Sequence, residues 1–173
     1  MKKEKILKWF IFAIALAINL FIIINAFING EISAKESNTI AHTTADVINT
    51  VKPETITPAN YPRFSFNFRK AVGHFGLFGV SGIFTTWSFY LFLKDTKCGY
   101  FLYQLLMTTG VGLVLALISE FTQIFIEGRS GNWLDVGIDF FGYFLGISLL
   151  FLIFLFKKSP IFLRQNYKKN QAE

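Results

Sequence analysis

The chain has 173 residues, of which 53% are hydrophobic and 18% aromatic, and its formal net charge is +6. Soluble domains of this size carry fewer apolar residues, so the composition predicts an integral membrane protein. The single cysteine, Cys98, excludes an internal disulfide and a cysteine metal site, and the sequence predicts no cofactor.

Four apolar segments follow one another along the chain, at about residues 9–27, 71–93, 100–121 and 135–156. Each has roughly the 20 residues that a helix needs to cross ~30 Å of hydrocarbon. A cleavable signal peptide is the alternative for the first segment, but its apolar length favours a retained anchor. The sequence therefore predicts an all-α fold, an integral membrane four-helix bundle.

The basic residues are sorted by position, which accounts for the positive charge without a nucleic-acid partner. Eleven of the 17 basic residues lie before the first segment, in the second short connection or after the last segment: Lys2, Lys3, Lys5, Lys8, Lys94, Lys97, Lys157, Lys158, Arg164, Lys168 and Lys169. Because positive residues favour the cytoplasmic side, both termini are predicted to be cytoplasmic. The chain then divides into a first transmembrane helix (1–28), an extracytoplasmic loop (29–63), a three-helix domain (64–156) and a basic cytoplasmic tail (157–173).

The long outer loop contains one pattern of helical periodicity and one of alternation. Ile40, Thr44, Val47, Ile48 and Val51 recur at helical spacing, which predicts a short amphipathic helix from about residue 37 to 51. This helix would lie on the bilayer surface or cap the bundle. The alternating phenylalanines of 64–68 indicate either a short extended stretch or an interfacial aromatic anchor.

The second span opens with Lys70 and His74, which are four residues apart and share one helix face. Its glycines recur at every third residue, at Gly73, Gly76, Gly79 and Gly82. Small residues at such spacing allow helix backbones to approach closely in lipid, so these glycines are interpreted as packing positions.

The third and fourth spans place polar residues on either side of a tight connection at residues 128–132. Glu120 and Gln123 share a face at the end of the third span, and Asp135 and Asp139 begin a stripe on the fourth that Gly142 and Gly146 continue. With both termini cytoplasmic, these residues gather at the outer face. Free N–H groups at the starts of the second and fourth spans would favour an anion there.

The predicted binding residues are Lys70, His74, Glu120, Gln123, Arg129, Ser130, Asp135 and Asp139. Because a charge that faces lipid is costly, Glu120, Arg129 and Asp135 are predicted to form one charge network. One histidine with several carboxylates could hold Mg²⁺ or Ca²⁺, but the nearby Arg129 argues against a cation, and no metal site is predicted.

Three roles fit this pattern. The first is recognition of an anionic envelope lipid, such as a polyprenyl phosphate or a peptidoglycan precursor, with Arg129 as a bidentate phosphate ligand. The second is hydrolysis within the membrane, with Glu120 and His74 as candidate catalytic residues, although neither a Gly-x-Ser-x-Gly nor an HExxH motif is present. The third is a purely structural role, in which the polar groups only hold the bundle together.

The order of these residues resembles the VanZ-like family of bacterial membrane proteins, named for a protein of teicoplanin resistance. The resemblance covers roughly residues 64–156. It lies in the basic residue and histidine that open the second span, in Glu-x-x-Gln, in Gly-Arg-Ser, and in the spacing of Asp135 and Gly142; Asp139 stands where the family pattern has asparagine. The resemblance implies a place in the bacterial cell membrane and a role at the envelope, in glycopeptide tolerance.

Overall fold

The computed structural model describes residues 2–94 and 100–157, and within these ranges the secondary structure is entirely helical. Four helices are long and apolar enough to cross a membrane: Lys2–Ala26, Tyr61–Leu93, Phe101–Gln123 and Trp133–Leu155. The prediction of an all-α membrane protein with four spans is therefore confirmed. Cys98 and the basic tail beyond residue 157 lie outside the described residues.

The helices are α1 (Lys2–Ala26), α2 (Gly30–Val51), α3 (Tyr61–Phe68), α4 (Leu77–Leu93), α5 (Tyr100–Gln123) and α6 (Trp133–Lys157). A π-helical segment, Arg69–Gly76, joins α3 to α4, so that the three form one continuous helix. Lys94, after α4, contacts Glu4 at the start of α1, and this marks the N-terminal end of the bundle. The opposite end, where the connections 27–29 and 124–132 lie, is called the loop end below.

Glycines bring α4 and α6 into backbone contact. A Cβ atom on Gly82 would lie 2.2 Å from the carbonyl oxygen of Tyr143, and one on Gly146 would lie 2.1 Å from that of Gly79. Since lipid supplies little hydrophobic drive for association between helices, close packing of this kind stabilises the bundle. The packing role predicted for Gly79 and Gly82 is confirmed, whereas Gly73 and Gly76 meet only atoms of their own helix.

The core surrounds the fully buried Tyr143 and includes α1. Its buried members are Ile22, Phe78, Leu115, Ala116, Tyr143, Ile147 and Phe151. Asn19 of α1 accepts a hydrogen bond from Ser81 (2.5 Å) and donates one to Thr85 (3.3 Å) on α4. Helix α1 is thus a packed member of the bundle and not only an anchor, because its asparagine satisfies hydroxyl groups that lie inside it.

The amphipathic helix in the long connection is longer than predicted. It begins at Gly30, because the side chain of Asn29 accepts the N–H of Glu31 (2.8 Å) as an N-cap. In the predicted stripe, Ile40, Val47 and Val51 are exposed and Thr44 and Ile48 are half-buried. The buried face carries Ala41 and Ala45 instead. The alternating phenylalanines after it lie in α3, so the extended alternative is wrong.

Candidate functional site

Two cross-helix pairs join the π-helical segment to the start of α6 at the loop end. Lys70 forms an ion pair with Asp135, and the Nδ1 atom of His74 lies 3.0 Å from the Oδ1 atom of Asp139. Lys70 and His74 are four residues apart, and so are Asp135 and Asp139, so each pair of positions lies on one helix face and the two faces meet with their residues aligned. The spacing in the sequence indicated both faces, and the fold brings them together.

The backbones of the π-helical segment and α6 approach closely, which allows the side chains of the two pairs to meet. A Cβ atom on Gly142 would lie 2.3 Å from the carbonyl oxygen of Phe75, so only glycine lets α6 pack this near the π-helical segment. π-Helical turns are rare and occur often at functional sites, because they displace side chains from the regular helical register. The unusual backbone therefore coincides with the residues that carry the polar chemistry.

Glu120, at the end of α5, connects three elements of the site. Its Oε1 atom accepts a hydrogen bond from Gln123 (3.0 Å), and its Oε2 atom accepts the backbone N–H of Asn132 (3.1 Å). The same Oε1 atom lies 3.8 Å from the Nδ1 atom of His74. The side chain is 3% exposed, so this glutamate faces protein, as its place in a spanning helix requires.

The connection 124–132 folds back over the end of α5. A Cβ atom on Gly131 would lie 2.1 Å from the carbonyl oxygen of Glu120. Asn132 then caps α6, since its Oδ1 atom accepts the N–H of Leu134 (3.0 Å). This N-cap could be read from the sequence, as an asparagine directly before the fourth span, but the contact of its own N–H with Glu120 could not.

The start of α2 rests on the same connection, a contact that the sequence analysis missed. The N–H of Gly30 donates to the carbonyl oxygen of Glu127 (3.0 Å), and a Cβ atom on Gly30 would lie 2.0 Å from the Gly128 carbonyl oxygen. Gly128 itself has a φ of +74°, a conformation that favours glycine. No periodic pattern in the sequence indicates a contact between Gly30, at a helix start, and Gly128, in a loop.

Arg129 makes no ion pair with Glu120 or Asp135, the carboxylates of the charge network predicted for it. Within residues 2–94 and 100–157 it makes no ion pair, and Asp135 is paired with Lys70. Partial burial lowers the pKa of the Arg129 guanidinium below its ordinary value, and the charge of Arg69 lowers it further, while Glu120 acts in the opposite direction. The charge of Glu120 acts on Arg129, but Asp135 is paired with Lys70, and the spacing in the sequence does not say which cation reaches a given carboxylate.

Most of the free N–H groups expected at two helix starts are already bonded. Lys70 and His74 lie inside the continuous helix Tyr61–Leu93, where the backbone N–H groups are bonded within the helix. At the start of α6, Asn132 accepts the N–H of Leu134 through its side chain and the N–H groups of Asp135 and Val136 through its carbonyl oxygen. Ser130 is exposed, and its side chain has no hydrogen bond to any described residue. Any anion at the loop end must therefore be bound mainly by side chains.

An apolar groove of about 290 Å³ opens between α5 and α6 beside the connection 124–132. It is lined by Leu117, Ile118, Glu120, Phe121, Ile124, Gly131, Asn132, Trp133 and Val136. Its walls are apolar except at Glu120 and Asn132. The groove thus has room for part of a hydrocarbon chain and ends at the polar residues of the loop end.

Three residues of the site are arranged so that they could share a proton, a water molecule or a metal ion. His74, Glu120 and Asp139 each offer a ligand atom, and these atoms all lie within 4.8 Å of one another. Asp139 is fully buried, and its Oδ2 atom has no hydrogen-bond partner. The sequence had indicated each of the three residues, but not that they meet at one point.

A family model described as VanZ/LLP1 matches residues 9–156. The match begins in α1, so it extends beyond the range 64–156 over which the residue pattern shows the resemblance. Comparisons with curated proteins and with solved structures found no match.

Proposed function

The chain belongs to the VanZ-like family of membrane proteins, and on that premise we propose that it binds an anionic envelope lipid, or the headgroup of a peptidoglycan precursor, at the loop end. The lipid carries a phosphate in this proposal, and polyprenyl phosphate is the simplest example. Binding of such a lipid at the outer face of the bacterial cell membrane is the role that we propose for this chain in teicoplanin tolerance.

The observation that carries the proposal is that Arg129 and Arg69, both at the loop end, make no ion pair with a described residue. Burial and, after it, the charge of Arg69 lower the pKa of the Arg129 guanidinium, while Glu120 acts in the opposite direction. The charge of Arg69 therefore acts unfavourably on that of Arg129, and a phosphate bound at the loop end would offset both charges. Guanidinium groups bind phosphate through two parallel hydrogen bonds, which favours this ligand over a neutral one.

The apolar groove supports the choice of a lipid over a free phosphate. It begins at Gly131 and Asn132, two and three residues beyond Arg129, and runs along Leu117 and Ile118 toward the membrane interior. A prenyl or acyl chain in the groove would place its headgroup at the connection that carries Arg129. A lipid is thus recognised at both ends, which neither the arginines nor the groove would achieve alone.

We expect the purified protein to retain polyprenyl phosphate more strongly than a neutral polyprenol of the same length. Arg129→Lys should weaken retention by about tenfold. A lysine keeps the positive charge, but it cannot form the two parallel hydrogen bonds that a guanidinium group makes to a phosphate. Native mass spectrometry of the protein with each lipid measures this retention directly. Arg63→Lys is the matched control, since Arg63 is exposed on α3 outside the groove.

Equal retention of the two lipids would remove the phosphate from the proposal. An equal loss with Arg129→Lys and Arg63→Lys would show that any surface arginine contributes, and would also count against the site. Raised salt should weaken retention only moderately, because a half-buried cation is screened less than an exposed one.

Hydrolysis of the bound lipid is the second candidate function, and one distance favours it. The Nδ1 atom of His74 lies 3.8 Å from the Oε1 atom of Glu120, so both candidate catalytic residues can reach one water molecule. Hydrolysis would convert polyprenyl phosphate and water into polyprenol and phosphate, and the same mass spectra would show the polyprenol. A chain that neither retains the phosphate lipid nor converts it would have the structural role alone.

We propose that both termini lie in the cytoplasm and that the loop end faces outward. The lysines of the N-terminal end support this orientation through the positive-inside rule. In a Cys98→Ser background, Thr50→Cys should react with an impermeant thiol reagent in intact cells. Asn170→Cys, beyond the described residues, should react only after the cells are permeabilised. Reaction at position 170 but not at position 50 would reverse the orientation.

A further inference from the structure

We propose that His74, Glu120 and Asp139 form a binding site for a divalent transition-metal ion of the Zn²⁺ or Mn²⁺ type. The site lies among the π-helical segment, α5 and α6, so that each element contributes one ligand. It is separate from the arginine pair, and metal binding is measured without lipid.

The distances between the candidate ligand atoms are close to those of a metal site. The Nδ1 atom of His74 lies 3.0 Å from the Oδ1 atom of Asp139 and 3.8 Å from the Oε1 atom of Glu120. In a tetrahedral Zn²⁺ site with metal–ligand distances near 2.0–2.1 Å, the ligand atoms are about 3.4 Å apart. These two separations lie on either side of this value, and the ligand atoms of all three residues lie within 4.8 Å of one another, so rotations of the side chains could bring them to the metal–ligand distances.

The buried oxygen of Asp139 is the second observation. Asp139 is 0% exposed, and its Oδ2 atom has no hydrogen-bond partner, although a buried polar atom without a partner is rare in folded proteins. Its Oδ1 atom already faces His74, so the whole carboxylate belongs to this cluster. A cation held by the carboxylate would account for the atom that the protein leaves unsatisfied.

The charge balance also favours a cation. Glu120 and Asp139 are 3% and 0% exposed, and His74 is the one basic side chain within ion-pair distance of either among the described residues. Lys70 lies nearby but is paired with Asp135. Arg129, the reason for predicting no metal from the sequence, is affected by the charge of Glu120 but makes no ion pair with either carboxylate. Two buried carboxylates without enough positive charge are costly, and a dication would neutralise them.

The mixture of ligand types selects the class of ion. Carboxylate oxygens alone suit Mg²⁺, Ca²⁺ and Mn²⁺, whereas an imidazole nitrogen favours Zn²⁺ and other transition metals. Three protein ligands leave at least one coordination position for water or a ligand oxygen, as in catalytic zinc sites. The Oε2 atom of Glu120 accepts the N–H of Asn132, an outer hydrogen bond of the kind that orients metal ligands.

The test is metal binding by the full-length protein in detergent after treatment with a chelator. Equilibrium dialysis against Zn²⁺ and, separately, Mn²⁺, followed by elemental analysis, should show about one ion per chain, held more tightly than Mg²⁺. Glu120→Gln and Asp139→Asn, which keep the side-chain shape, should each weaken binding at least about tenfold. Glu127→Gln is the matched control: it removes an exposed carboxylate from the adjoining connection and should leave binding unchanged.

X-ray absorption of the Zn²⁺-loaded protein gives a readout that does not depend on the variants folding. It should show nitrogen and oxygen ligands with one imidazole and no sulfur. A sulfur ligand would assign the ion to Cys98 and overturn the proposal. Equal metal binding in all three variants would also overturn the proposal. A chelator-treated parent protein that takes up neither ion would do the same, because a proton shared by the two carboxylates would then balance their charge.

Discussion

Gly146→Ala is expected to destabilise the protein strongly, whereas Gly137→Ala on the same helix is expected to stabilise it. The new methyl group at position 146 would lie 2.1 Å from the carbonyl oxygen of Gly79, and a backbone atom cannot move aside as a side chain can. Overpacking of this kind costs about 1–3 kcal/mol, and more where backbones must separate. A methyl group at position 137 meets nothing within 4 Å, so the variant gains only the better helix propensity of alanine, about 0.5–1 kcal/mol.

Thermal unfolding of both variants in the same detergent, followed by circular dichroism, measures the contrast. Because the two substitutions are chemically identical and lie on one helix, a change in helix propensity alone would move both melting temperatures in the same direction. A fall at position 146 with a rise at position 137 is the expected result. Equal melting temperatures for the two variants would mean that α4 and α6 are not packed backbone to backbone.

The second large effect is expected at Lys70, and not at Arg129. Lys70→Gln leaves Asp135 without its ion-pair partner beside Glu120 and Asp139, so three carboxylates would share one histidine. Removing one member of a buried pair costs about 3–5 kcal/mol. The Lys70 and Asp135 side chains are 23% and 14% exposed, so solvent screening reduces this to roughly 1–3 kcal/mol. Arg129→Gln removes no ion pair and relieves the repulsion with Arg69, so the stability should hardly change.

A double-mutant cycle isolates the Lys70–Asp135 pair. Asp135→Asn added to Lys70→Gln should restore much of the lost stability, because it removes the unpaired charge. The free energy of unfolding of the parent, both single variants and the double variant gives the coupling. If Arg129→Gln is less stable than Lys70→Gln, then Arg129, and not Lys70, is the cation that stabilises the carboxylates.

The sequence by itself determined the class of the fold, the four spans and the faces on which their polar and small residues lie. These follow from hydropathy and from the helical period, which are local properties: lipid requires long apolar helices with internally bonded backbones, and the spacing of Lys70 and His74 or of Asp135 and Asp139 places them on common faces. Regular spacing of small residues predicted the close contacts of Gly79 and Gly82, but it marked Gly73 and Gly76 equally, and these meet only atoms of their own helix.

Only the tertiary structure decided which residues meet across helices. The choice of Lys70 over Arg129 as the partner of Asp135, the meeting of His74 with Glu120 and Asp139, and the docking of Gly30 on the connection 124–132 depend on helix rotation, register and loop path. The period of a helix says which residues share its face, but not which face of a neighbour it meets or at what height. Those quantities are determined by packing across the whole bundle, where a shift of one residue changes every polar partner.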